Sequence, residues 1–171
     1  MDYGIVFDSS LDLQLMTYTD TDWAGDKSDH KSTTRSLIKI IRGLVYWHSI
    51  KQTGMFLFIT ETEYIAVSET SRKIISIRSI LQELEMIDPD FTFPLLIDNN
   101  GAIAVSKDEK ITRNTRHIEI RYHHIRDLIE KGVIDVAHIP SAQMAADGFT
   151  KPLDATKFGE FRDLIGIEDC K

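Results

Sequence analysis

Four carboxylate positions, far apart along a chain of 171 residues, sit where an acid needs a positive partner. The first is Asp20 or Asp22, which closes the run Met16-Thr17-Tyr18-Thr19. The second is Glu63, four residues before Val67 on an apolar helical stripe. The third is Asp98, directly after Pro94-Leu95-Leu96-Ile97, and the fourth is Asp147, inside Ala145-Ala146-Asp147-Gly148. Each lies at the end of an apolar strand or on an inward helical turn, so all could meet in one crevice. Carboxylates that close raise one another's pKa and call for a cation. A hard divalent ion with oxygen ligands, Mg²⁺ first and Mn²⁺ second, is the economical answer. Zinc fits poorly, because no Cys/His cluster has ligand spacing and the single cysteine, Cys170, is next to last. Two such ions, about 3.5 to 4 Å apart, are the apparatus of phosphodiester hydrolysis. No Ser/His/Asp pattern or phosphate-cradling glycine loop competes with that reading.

The elements that must position these acids can be read from periodicity. Leu11, Leu13 and Leu15 alternate with polar residues and lead into β-branched and aromatic positions, which predicts a strand ending at the Asp20/Asp22 pair. Parity cannot choose between the two, since both face the same side. Ser36–Ile41 and Leu44–Ile50 flank Arg42-Gly43 and read as a hairpin. From Thr60, Val67, Thr70, Ile74, Ile77, Leu81 and Leu84 recur at spacings of three and four, predicting a long helix that stops before Asp88-Pro89. Projected back at about 100° per residue, the stripe puts Glu63 against the sheet and Glu61 toward water. Residues 94–97 read as a strand covered on both faces, with a short helix after Asp98-Asn99-Asn100-Gly101. Asp98 could equally cap that helix.

Between Lys110 and Lys131 six cationic side chains face three carboxylates, a local charge of +3, with Ile118, Tyr122, Ile125 and Ile129 forming an apolar stripe. Gly132 should end that helix, 133–139 form a strand, 142–150 a helix carrying Asp147, and a last amphipathic segment with Phe158, Phe161, Leu164 and Ile165 dock on the body. Residues 2–10 look like a lead-in packing as an edge. The expected fold is α/β, a mixed sheet with helices on its faces.

Composition is consistent with one such domain: 42% hydrophobic, 27% charged and a formal net charge of -7. That charge argues against coating nucleic acid by bulk electrostatics, though a local basic face remains compatible with it. The cysteine usage and the absence of a long apolar run or signal-like start predict a reducing, intracellular setting and no membrane contact.

Six ordered stretches carry a resemblance over nearly the whole chain. They are Tyr18–Ser28, Lys31–Thr34, Thr60–Ala66, Asp98–Ile103, Arg116–His123 and Ala146–Leu153, and together they resemble the ribonuclease H domain that closes the polyprotein of copia-type retrotransposons. The resemblance implies a ribonuclease H-like sheet of three antiparallel strands followed by parallel ones, with helices on both faces. It places the catalytic and metal-holding acids at Asp20, Glu63, Asp98 and Asp147, with two Mg²⁺ ions, or Mn²⁺ in their place. It implies cleavage of the RNA strand of an RNA:DNA hybrid, and Arg113, Arg116, His117 and Arg121 as candidate backbone contacts. The implied partner, besides the hybrid, is a reverse transcriptase domain of the same polyprotein. Residues 1–10 resemble the connector after that domain, 11–153 the ribonuclease H unit, and 154–171 a C-terminal helix and tail. The implied setting is the cytoplasm, a virus-like particle or the nucleus. The alternative is a degenerate, non-catalytic remnant that keeps a nucleic-acid-binding surface. Two departures from the pattern stand out: Arg35 follows Ser32-Thr33-Thr34 where a small residue is expected, and Phe58-Ile59 precedes the glutamate helix in place of a small polar pair.

Overall fold

A computed structural model describes residues 2–7, 10–25, 28–54, 56, 59–99, 119–149 and 153–170. Five strands form one sheet: β2 (Leu15–Asp22), β3 (Thr33–Ile40), β4 (Gly43–Lys51), β5 (Phe93–Ile97) and β6 (Ile134–His138), in the spatial order β4-β3-β2-β5-β6. The hairpin β3–β4 and the pair β2–β3 are antiparallel, whereas β5 runs parallel to both β2 and β6. The strand that ends in Asp20 and Asp22 is therefore the central one, with the antiparallel and parallel halves of the sheet on either side. It begins at Leu15, so Leu11 and Leu13 precede it.

One face of the sheet is covered by α1 (Ile59–Glu83) and α2 (Glu119–Glu130). Their contact centres on Tyr64 and Tyr122, whose rings stack with centroids 5.3 Å apart, above a core of Leu15, Ile38, Val67, Ile74, Leu95 and Ile125. Burying side chains of this size contributes about 1.5–3 kcal/mol each. The opposite face carries Tyr18, Leu37 and Leu44 under Met144, Ala145, Ala146 and Ile165. A helix of ten residues, α3 (Ala155–Leu164), completes that side. Its N-cap is Asp154, whose carboxylate accepts from the Lys157 amide at 2.9 Å, and its Phe161 meets Phe149 edge to face. Phe161 and Ile165 dock as expected, but Phe158 and Leu164 stay exposed.

Three expectations need correction. Glu61 is buried rather than solvated, because every residue from 61 to 68 is buried and the stretch has no solvent-facing side, although Ile59 just before it is exposed. Residues 142–150 do not make one α-helix. Pro140 precedes the region, and the extended backbone of Met144 divides it into two short 3₁₀ turns, Ser141–Gln143 and Ala145–Phe149. Finally, β1 (Tyr3–Ile5) is not an edge of the main sheet but pairs antiparallel with β7 (Ile167–Asp169). The helix foreseen after Asp98 lies outside the described residues.

Gly166 links α3 to β7 with φ +76°, and a Cβ there would sit 1.9 Å from the Arg42 carbonyl oxygen. Both the left-handed backbone and the close approach exclude a side chain. Gly166→Ala should lower stability by more than about 1 kcal/mol, measured by urea denaturation. A neutral result would mean that the β1–β7 pair is not held as described.

Candidate functional site

The parallel pairing of β5 with β2 brings Asp98, one residue past the end of β5, beside Asp20 near the end of β2. Glu63 arrives from the second turn of α1. One oxygen from each of Asp20, Glu63 and Asp98 can be chosen so that all three lie within 4.8 Å of one another. Local hydrogen bonds explain why α1 stops where it does against the sheet. The Thr21 hydroxyl and the Gln52 amide both donate to the Thr62 carbonyl, at 3.2 and 3.0 Å. Two turns later the Thr70 hydroxyl donates to the Thr19 hydroxyl at 3.0 Å, which in turn donates to the Arg35 carbonyl at 3.1 Å. These bonds fix the depth and rotation of the helix, and with them the place of Glu63. Asp98 is steadied by Ser141, whose hydroxyl donates to Oδ2 at 2.9 Å.

The electrostatics of the cluster divide into two parts. Glu63 is 3% exposed, and among the described residues its Oε2 has no hydrogen-bond partner. Burial, reinforced by the charges of Asp20 and Asp98 and only partly offset by Arg35, pushes its pKa up to about 9. Asp20 is pushed up to about 6 by burial, against the lowering influence of Arg35. A buried carboxylate oxygen left without a donor is costly, and a divalent cation on Asp20, Glu63 and Asp98 would satisfy it. The donor set, three carboxylate oxygens and no nitrogen or sulfur, suits Mg²⁺ or Mn²⁺.

Asp147 stands differently. Its Oδ1 accepts from Arg35 Nη1 at 2.9 Å, and the same nitrogen donates to Asp20 Oδ2 at 2.9 Å, while Nη2 lies 3.4 Å from Asp22 Oδ2. All four acids foreseen from the sequence thus converge, but a guanidinium holds one side of the group. That function of Arg35 went unread in the sequence, where it stood out only as a bulky cation after Ser32-Thr33-Thr34; the β2–β3 register makes it the direct partner of Asp20. Ser141 and Gln52 carried no comparable signal. Of the residues expected on the basic surface, Arg113, Arg116 and His117 lie outside the described residues. Arg121 is on α2, with Nη1 3.7 Å from Glu69 Oε1.

No family model matches the chain. It is 36% identical over 167 residues to the retrovirus-related Pol polyprotein from transposon RE1 of Arabidopsis thaliana, and 35% identical over 153 residues to that from transposon TNT 1-94 of Nicotiana tabacum. These matches cover 96% and 90% of this chain, which spans 11% of each relative. Among solved structures, LC11-RNase H1, isolated from compost by a metagenomic approach, superposes with a TM-score of 0.58 at 15% identity, covering 79% of this chain and 91% of that one. The same enzyme in complex with an RNA/DNA hybrid gives 0.57 at 14% identity, covering 79% and 92%. The relatives of this chain are the Pol polyproteins of plant copia-type transposons, and its fold is that of ribonuclease H.

A carboxyl whose folded pKa lies above its unfolded value contributes stability that is complete below the unfolded pKa and is lost as pH rises through the folded one. For Glu63 that window runs from 4.5 to about 9, and for Asp20 from 3.8 to about 6. In a chelating buffer the melting temperature should therefore fall as the pH is raised from about 5 to 9. Glu63→Gln should remove most of the fall above pH 6, and added Mg²⁺ should oppose it in the parent. A melting temperature that stays level in chelator would contradict the burial of an unpartnered Glu63.

Proposed function

We propose that this ribonuclease H-fold segment hydrolyses the RNA strand of an RNA:DNA hybrid, using a divalent cation held by Asp20, Glu63 and Asp98. The observation that carries the reading is the convergence of those three carboxylates on one point, with Glu63 Oε2 buried and unpartnered. A structural acid at a helix start would be capped or solvated, whereas Glu63 Oε2 is buried with no hydrogen-bond partner among the described residues. When bound, a cation of this kind polarises a phosphoryl oxygen and lowers the pKa of its water.

The chain's own residues account for the rest. Glu63, delivered from the first turns of α1, is buried by the residues around it, so its charge acts in a low dielectric. Ser141 donates a hydrogen bond to Asp98 Oδ2 that favours its orientation toward the cluster. Arg35 places a fixed positive charge beside Asp20 and Asp147, where it can offset negative charge developing on a phosphate in the transition state. The hybrid as substrate is supported by the superposition on an enzyme solved with an RNA/DNA hybrid. An RNA strand would be distinguished by its 2'-hydroxyls in the wide minor groove. Arg113, Arg116, His117 and Arg121 are assigned to the phosphate backbone, with Arg121 exchanging Glu69 for a phosphate. A reverse transcriptase domain of the same polyprotein is the proposed covalent neighbour.

The test is Mg²⁺-dependent cleavage of an end-labelled hybrid, beside a DNA duplex and the variants Glu63→Gln and Asp98→Asn. Only the RNA strand should be cut. Each variant should lose at least about 100-fold in rate, as expected when several kcal/mol of charge stabilisation is removed. A folded parent chain that leaves the hybrid intact in both Mg²⁺ and Mn²⁺ would establish the non-catalytic remnant instead.

A further inference from the structure

Arg35 is 2% exposed, a long cation lying inside the protein rather than on it. Its backbone is fixed twice over. It pairs with Asp20 on β2 and Ser49 on β4 in the ladder, and its carbonyl receives the Thr19 hydroxyl. Its side chain is held by Asp20 and Asp147 through a single nitrogen, Nη1, at 2.9 Å from each, and by Asp22 through Nη2. Nη1 thus sits between the two carboxylates that a second divalent cation would have to bridge. An ion there would share both oxygens with the guanidinium and meet its full positive charge. Unlike a lysine, an arginine cannot withdraw by losing its proton. On the other side of Asp20 the situation is reversed: Glu63 Oε2 is buried with no donor among the described residues.

We infer that Arg35 is a built-in occupant of the second cation position, so that this site binds one divalent cation, on Asp20, Glu63 and Asp98, and not two. The inference rests on the reading of those three carboxylates as a cation site. It overturns the expectation of two ions, in which Asp147 would be a metal ligand. Asp147 is instead the counter-ion of Arg35. A guanidinium supplies charge and hydrogen bonds but has no coordination sphere in which to prepare a water, so it replaces the electrostatic share of a second ion and not its Lewis acidity.

The experiment is a count of bound Mn²⁺ on the full chain, by titration against the electron paramagnetic resonance signal of the free aquated ion. The parent should bind one Mn²⁺ per chain, Arg35→Ser two, and Asp147→Asn one. Circular dichroism in the presence of Mn²⁺ checks that Arg35→Ser is folded, and if it is not, Asp147→Asn decides the matter alone. Two ions on the parent, a single ion on folded Arg35→Ser, or loss of the ion in Asp147→Asn would each overturn the inference while leaving the cation site standing. A folded parent that binds no Mn²⁺ would remove the site itself.

Discussion

Five carboxylates, Asp20, Asp22, Glu63, Asp98 and Asp147, are drawn toward the end of the central strand, and like charges so placed cannot all remain ionised without compensation. The rest of the molecule is arranged around that constraint. Arg35 answers it for Asp20, Asp22 and Asp147 from within the same sheet, one strand away. Nothing among the described residues answers it for Glu63 Oε2, and that asymmetry defines the site. One half is electrostatically closed by the protein, and the other holds a buried acid with no donor among the described residues. The cost of holding Glu63 there is met by the packing around it, where Tyr64, Ile65, Ala66 and Val67 follow in an unbroken buried run.

The features that can be read in the sequence are those that depend on local periodicity. The β-branched and aromatic run ending at the Asp20/Asp22 pair, the hairpin around Gly43, the three-and-four spacing of α1 and the apolar run of β5 each announce an element. The phase of the α1 stripe puts Glu63 inward from arithmetic alone. Where the sequence misleads, long-range packing is responsible. Glu61 lies opposite the stripe yet is buried, because tertiary packing encloses residues 61–68 whatever their place on the helical wheel. The 3₁₀ turns at Asp147 replace an α-helix because the segment is short and broken at Met144. The pairing of β1 with β7 joins residues more than 160 apart, which no local pattern can encode.

Arg35 shows the boundary most clearly. As a residue type it is conspicuous in a strand among Thr34, Ser36 and Leu37, and an unexpected bulky cation next to a run of hydroxyl residues is visible without coordinates. Its significance depends on register, and register depends on which residues face one another across two strands. Shifted by a single position, the same arginine would point to the other face of the sheet, toward α1, leaving Asp20 and Asp147 to find another cation. The composition of the site is therefore set as much by hydrogen-bond ladders as by the acids themselves.

The hydroxyl bonds between Thr19 and Thr70 and between Thr21 and the Thr62 carbonyl attach the first half of α1 to the sheet. In the second half the attachment is apolar, through Ile74 and Leu81, while Ile80 on the outer side stays exposed. The helix is keyed by small hydroxyls in one half and cushioned by aliphatic packing in the other. Aliphatic residues of similar volume can replace one another in that packing at little cost, whereas a single change among the threonines would turn the key and move Glu63. The vulnerability of the site is thereby concentrated in a few small polar residues that are not themselves acids.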